Sequence, residues 1–250
     1  MDIFDLLMNR RTIRDYLDRD IDDDLLKKIL AAGCRTSTTG NMQVYSIIVT
    51  RDRGMKEKLL PLHFNQRMVL NAPVVLTFCA DFNRFSQWCR LRKAEPGYDN
   101  FLSFITAAID ALIAAQTVCI AAEASGLGIC YLGTTTYMAR KIIEVLNLPK
   151  GVVPVTTVTL GWPAGIPDQV DRLPLDAIVH EEVYHEYSGD DIDRFYREKE
   201  ERPDSKQFIR ENNKETLAQV FTDVRYKKSD NVTFSNMLLK VLTEQGFMNQ

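Results

Sequence analysis

The sequence predicts a soluble globular fold of mixed helices and strands, on three observations. Apolar residues make up 45% of the 250 positions and charged residues 26%, enough to bury a core and too apolar for general disorder. Four short runs rich in β-branched and aromatic residues, at 45–50, 73–80, 129–132 and 153–160, have the character of strands. Around them lie segments with apolar residues at helical spacing, the longest at 101–125. The formal charge of −3, from 31 Lys plus Arg against 34 Asp plus Glu, argues against a nucleic-acid partner.

Residues 2–9 read as a helix capped by Asp2, running into the basic turn Arg10-Arg11-Thr12-Ile13-Arg14. A second helix at 22–32 is signalled by Asp22, Asp23 and Asp24 at its positive end and by Gly33 as its stop. The run Thr36-Ser37-Thr38-Thr39-Gly40-Asn41 has no apolar face and reads as a loop before the first strand. A short helix at 54–60 precedes the second strand, whose near-continuous apolar run suits burial on both faces. The next helix, 83–94, is broken by Pro96-Gly97.

In the helix at 101–125, Ser103, Thr106, Asp110 and Thr117 share one stripe. The rest is apolar nearly all round, so protein must cover most of its surface, a second subunit included. Its polar residues and lack of flanking charges speak against a membrane span. Gly126 and Gly128 end it, and a strand, a helix at 138–146 and the last strand follow. Beyond Trp162-Pro163 the chain becomes rich in proline and acidic residues, and 190–210 is highly charged. Further helices are predicted near 215–224 and 234–245. The apolar inventory of this tail suits an extension more than an independent core.

Five cysteines in no CxxC pair leave structural zinc and a disulfide framework as poor readings. Free, mostly buried thiols and an acidic start without a signal peptide predict a cytoplasmic protein. His63, His180 and His185 are too scattered for a metal cluster, and no metal is expected. No GxSxG elbow, HExxH or full GxGxxG occurs. Arg10, Arg11 and Arg14 with Thr12 could hold a phosphate, although charge alone favours a solvated helix end. The polar loop 36–43 suits a polar ring edge or sugar-like chain, or is a plain turn. Gly126-Leu127-Gly128 through Gly133-Thr134 could let backbone approach a flat ligand.

In collinear order, RRTIRDY (10–16), TSTTGNMQVYSI (36–47), NAPVVLTFCADFNR (71–84), DALIAAQTVCIAAEASGLGICYLG (110–133) and LGWPAGIPDQVDRLP (160–174) make the chain similar to the nitroreductase family of flavin enzymes. LTEQGF (242–247) adds a weaker echo. The branch it resembles holds oxygen-insensitive NADPH nitroreductases and NAD(P)H:flavin oxidoreductases. The resemblance implies an α+β fold, a mostly antiparallel sheet wrapped by helices, in an intertwined homodimer with FMN at the subunit interface. Residues 1–250 would form one domain, with 175–250 a helical C-terminal extension packed on it or on the partner subunit. The helix at 101–125 would be the central dimer helix.

Carried over by position, Arg10, Arg11, Thr12 and Arg14 would surround the phosphate and ribityl end of FMN. Thr38, Thr39 and Gly40 would lie near the flavin, and Gln66 at the isoalloxazine edge. Leu132, Gly133 and Thr134 would lie over the ring, and Arg172 on the phosphate. Three positions depart from the branch's pattern. Arg10 stands for its histidine, Val170 for a phosphate-contacting lysine, and Thr134 for the second glycine of the ring segment, adding bulk there. The implied activity is hydride transfer from NADPH or NADH through FMN to nitroaromatics, quinones or flavins in a ping-pong sequence. FMN would carry the chemistry, so no catalytic side chain is assigned. The alternative is a flavin-binding redox protein with a different specialised reaction or little turnover.

Overall fold

Of the first two helices only the second is closed by a side-chain cap; Asp2, expected to cap the first, makes no side-chain cap bond. In the computed structural model, which describes residues 2–249, α1 spans Ile3–Met8 and α2 spans Asp23–Gly33. The Asp22 carboxylate accepts from the Asp24 and Leu25 amides and so closes the N-terminus of α2. The described chain divides into two compact units. One runs to Asp168 and resumes at Phe234, and the other is Gln169–Thr233.

The first unit is built on an antiparallel sheet. Strands β1 (Tyr45–Thr50), β2 (Val74–Asp81), β3 (Gly128–Leu132) and β4 (Val152–Gly161) lie in the order β1-β2-β4-β3. Every residue of β2 is buried, as its unbroken apolar run predicts for a central strand covered on both faces. Short helices α3 (Arg53–Leu59), α4 (Met68–Asn71) and α5 (Asn83–Leu91) flank β2 in sequence. The long helix α6 (Phe101–Ala124) and α7 (Ala139–Leu146) flank β3.

Small side chains let α6 lie close to the sheet. Its Ala111, Ala114, Ala115, Val118 and Ala122 pack with Val74, Leu76 and Phe78 of β2 and Val158 and Leu160 of β4. Helix α2 comes equally near: a Cβ on Gly33 would fall 2.1 Å from Val118 Cγ2. On the opposite face, Val75, Cys130 and Leu132 pack with Leu59, Val69 and Ile142 from α3, α4 and α7. The α+β class and antiparallel sheet implied by the resemblance are thus observed.

Helix α6 inverts the usual surface pattern. Ser103 and Asp110 are buried, while Leu102, Ile105, Ile109, Leu112 and Ile113 are exposed on the other side. By length and composition α6 could cross a membrane, yet half of its most apolar window is buried inside the protein.

The second unit departs from expectation. The charged stretch 190–210 holds two helices, α8 (Gly189–Glu201) and α9 (Pro203–Glu211). Ser188 and Asp191 form a reciprocal capping box, and Pro203 opens α9 where its missing N–H costs nothing. Local signals of this kind outweigh the lack of a long apolar stripe. The helix expected at 215–224 is a short α10 (Leu217–Val220) followed by a π turn, Phe221–Arg225. The last helix, α11 (Lys228–Gln245), starts six residues before the expected 234.

Candidate functional site

The edge of the sheet beside β3 collects the predicted phosphate residues. Thr12 forms a parallel bridge with Ile129, and the Ile13 amide donates to the Ile129 carbonyl at 2.9 Å. The next turn is tied to the end of β4. The Leu17 amide donates to the Trp162 carbonyl, and the Ala164 amide to that of Asp15. Gly128 is required for this close approach, because a Cβ there would meet Ile13 Cβ at 2.6 Å. Arg10 to Arg14 therefore run alongside the strand that continues into Leu132, Gly133 and Thr134.

The arginines have different partners. Arg10 pairs with Glu123 of α6 at 3.3 Å, and Glu123 is largely buried. Burial pushes the Glu123 carboxyl above the usual carboxylate range, and the Arg10 guanidinium partly offsets it. Arg11 donates from Nη1 to the Asn9 carbonyl, and its buried Nε has no partner among the described residues. Among the described residues, neither Arg11 nor Arg14 has a carboxylate within ion-pair distance. Arg11 lines an open cleft of about 290 Å³, and Arg14 one of about 370 Å³ with Thr12, Gly165 and Pro167.

The ring segment resolves the effect of Thr134. Its side chain turns inward, where Oγ1 lies 2.9 Å from Nδ1 of the fully buried His63. Around a Cβ built on Gly133 there is nothing within 4 Å. The bulk that Thr134 adds is therefore taken up by the interior, and the face at Gly133 stays open. Gln66 joins the same place. It is half-buried, and its backbone N–H donates to the His63 carbonyl at 3.1 Å. Sequence reasoning missed His63, a lone histidine with no motif around it. Burial holds it neutral and lowers its pKa to about 4.

The Thr38–Thr39–Gly40 loop is pinned elsewhere. Buried Asp110 accepts from the Thr39 amide at 2.9 Å, the Thr39 hydroxyl at 3.2 Å and the Val44 amide at 3.4 Å. Gly40, Asn41 and Gln43 have positive φ there. Asp110 and Glu123 lie 13 positions apart on α6, or about 20 Å at 1.5 Å per residue. Within one chain, this loop and the Arg10 turn are thus held at well-separated places along the helix. Arg172 belongs to the second unit, where it is exposed and donates to the Asp171 carbonyl. Val170, in the position of the missing cation, is exposed as well.

These residues fit a phosphate-bearing aromatic cofactor. The test is the uncompensated pair Arg11 and Arg14, with an orphaned buried Nε, close along one edge to an open glycine face.

The family model described as "Nitroreductase family" matches residues 7–162. An "Oxygen-insensitive NADPH nitroreductase" of Salmonella typhimurium is 38% identical over 180 residues, covering 72% of this chain and 73% of that protein. An "FMN reductase (NADPH)" of Bacillus subtilis is 33% identical over 186 residues, 74% and 75% of the two chains. Among solved structures, a Bacteroides fragilis protein superposes with a TM-score of 0.97 at 59% identity, over 98% of this chain and 100% of that one. The NADPH:FMN oxidoreductase from Vibrio harveyi complexed with NAD+ gives 0.78 at 26% identity, over 99% of each. Since the matched segment holds the whole sheet, the arginine turn and the open glycine, this chain belongs to the nitroreductase family.

Proposed function

We propose that this protein is an FMN-dependent oxidoreductase that takes hydride from NADPH or NADH and passes electrons to small molecules. Nitroaromatics, quinones and free flavins are the expected acceptors. The observation that carries this is the β3 edge, where two arginines without a carboxylate partner among the described residues lie on the turn beside the strand that leads to an open glycine face. Arg11, Thr12 and Arg14 would hold the phosphate, and Arg10 would join them while keeping Glu123 neutralised. Gly133 would let the ring lie against backbone, with Leu132 behind it and Thr134 turned away. Gln66 would meet a polar ring edge with its amide. The chemistry supplied when FMN is bound is hydride acceptance and onward delivery of electrons.

The working unit is proposed to be a cytoplasmic homodimer that meets through the exposed apolar side of α6. The separation of the Thr38–Gly40 loop from the Arg10 turn supports this. A second chain across α6 could bring its own loop to the first chain's arginines. Arg172 is proposed to add a phosphate contact, and residues 175–250 to form a helical extension of the same domain.

The test is flavin retention. The purified protein is expected to elute as a yellow dimer, and Arg14→Ala is expected to lose most of its FMN on gel filtration. Equal retention by Arg14→Ala would count against the phosphate site.

A further inference from the structure

Phe64 occupies a backbone position that resists its side chain. It ends the turn Leu60–His63 in the left-handed region, φ 54°, and Asn65 follows at φ 56°. Its amide and that of Asn65 donate to the Pro61 and Leu60 carbonyls, closing the turn. Glycine or asparagine would do this with less strain. Half of the Phe64 ring remains exposed, so packing does not consume it.

Two further rings adjoin it. Tyr137 and Phe234 are stacked with centroids 4.4 Å apart and planes 12° from parallel. Phe64 lies 6.3 Å from Tyr137 and 6.4 Å from Phe234. Position fixes where this group sits. Phe64 is two residues before Gln66, and Tyr137 is three after Thr134. The buried contact between His63 and Thr134 ties those two segments together. The half-exposed Phe64 ring and the partly buried Tyr137 are thus carried by the same tied segments as Gln66 and Gly133, and the partly buried Phe234 stacks on Tyr137.

We propose that Phe64, backed by Tyr137 and Phe234, determines acceptor specificity by stacking planar aromatic acceptors beside the flavin face, an inference that rests on the flavin-dependent reading above. Strain retained at a half-exposed ring is the pattern expected where a side chain serves a ligand. Quinone and nitroaromatic rings would gain offset-stacking contact, and an acceptor without a ring plane would gain none.

Phe64→Asn tests this while easing the backbone, because asparagine tolerates the left-handed region. Menadione binding would be followed by saturation-transfer NMR without turnover. Its Kd is expected to weaken about two- to tenfold in Phe64→Asn and to be restored in Phe64→Trp. In turnover, KM for menadione should rise while KM for ferricyanide does not follow. An unchanged menadione Kd, or equal rises for both acceptors, would overturn the inference. FMN content, read from the absorbance spectrum, separates the two claims. With FMN present, a null result sinks the stacking role alone. If FMN is absent even after reconstitution, the flavin reading fails, and the wild-type and Phe64→Asn binding comparison still decides the role of the ring.

Discussion

Asp110 shows how one side chain can organise a loop. It is a buried carboxylate on an alanine-rich helix, and its three accepted hydrogen bonds hold Thr39 and Val44. Asp110→Ala leaves two backbone amides without that partner, so stability should fall by about 2–4 kcal/mol in urea unfolding. A change below about 0.5 kcal/mol would show that the loop holds itself. His63 makes a pH prediction. Its folded pKa, about 4, lies below its ordinary 6.5, so the unfolded chain takes the proton first as pH falls. The stability tied to neutral His63 is full above the ordinary value and is lost on acidification through about 4. That loss should approach about 3 kcal/mol, and His63→Gln should lack it when urea midpoints are compared across this window. Parallel acid losses in wild type and variant would contradict it. Of these two residues, only Asp110 stood out in sequence, as part of a polar stripe. His63 is legible only once burial places it against Thr134.

Helices and strands were legible wherever apolar periodicity built them. The strands and α6 fall within a residue or two of expectation. Helices α8 and α9 were hidden because their charged surfaces carry little apolar stripe and their starts rest on local caps. The polar stripe of α6 was visible in sequence, but its inward direction was not. Only the sheet and the 36–44 loop decide that Asp110 faces protein while Ile109 and Leu112 face outward. If that outward face is the dimer seam, Ile109→Asp with Leu112→Asp should convert a dimer to a monomer in sedimentation velocity. A persistent dimer would place the interface elsewhere. The glycines beside the site give a contrast. Gly128→Ala should destabilise by about 1–3 kcal/mol, because the added carbon meets Ile13, whereas Gly133→Ala meets nothing. Thermal unfolding should separate the two, and FMN retention should fall in both. Equal stability would contradict the tight approach at Gly128.

At the scale of the whole molecule, a near-neutral chain gathers Arg10, Arg11 and Arg14 at one edge, the last two without a carboxylate partner among the described residues, and exposes apolar surface along one helix. The first suits a dianionic phosphate and the second a partner subunit. The family resemblance was legible over most of the length because its motifs are collinear with the elements that build the sheet edge. Site assembly was less legible, because the Arg10 turn and the Thr39 loop are held at separate places along α6, and Arg172 belongs to the other unit. Anaerobic titration of the FMN-loaded protein with NADPH and NADH tests the central claim most directly. The flavin absorbance should bleach with one equivalent of reductant and return when menadione or nitrofurazone is added. A spectrum that neither nucleotide bleaches, or a colour that no acceptor restores, would contradict it.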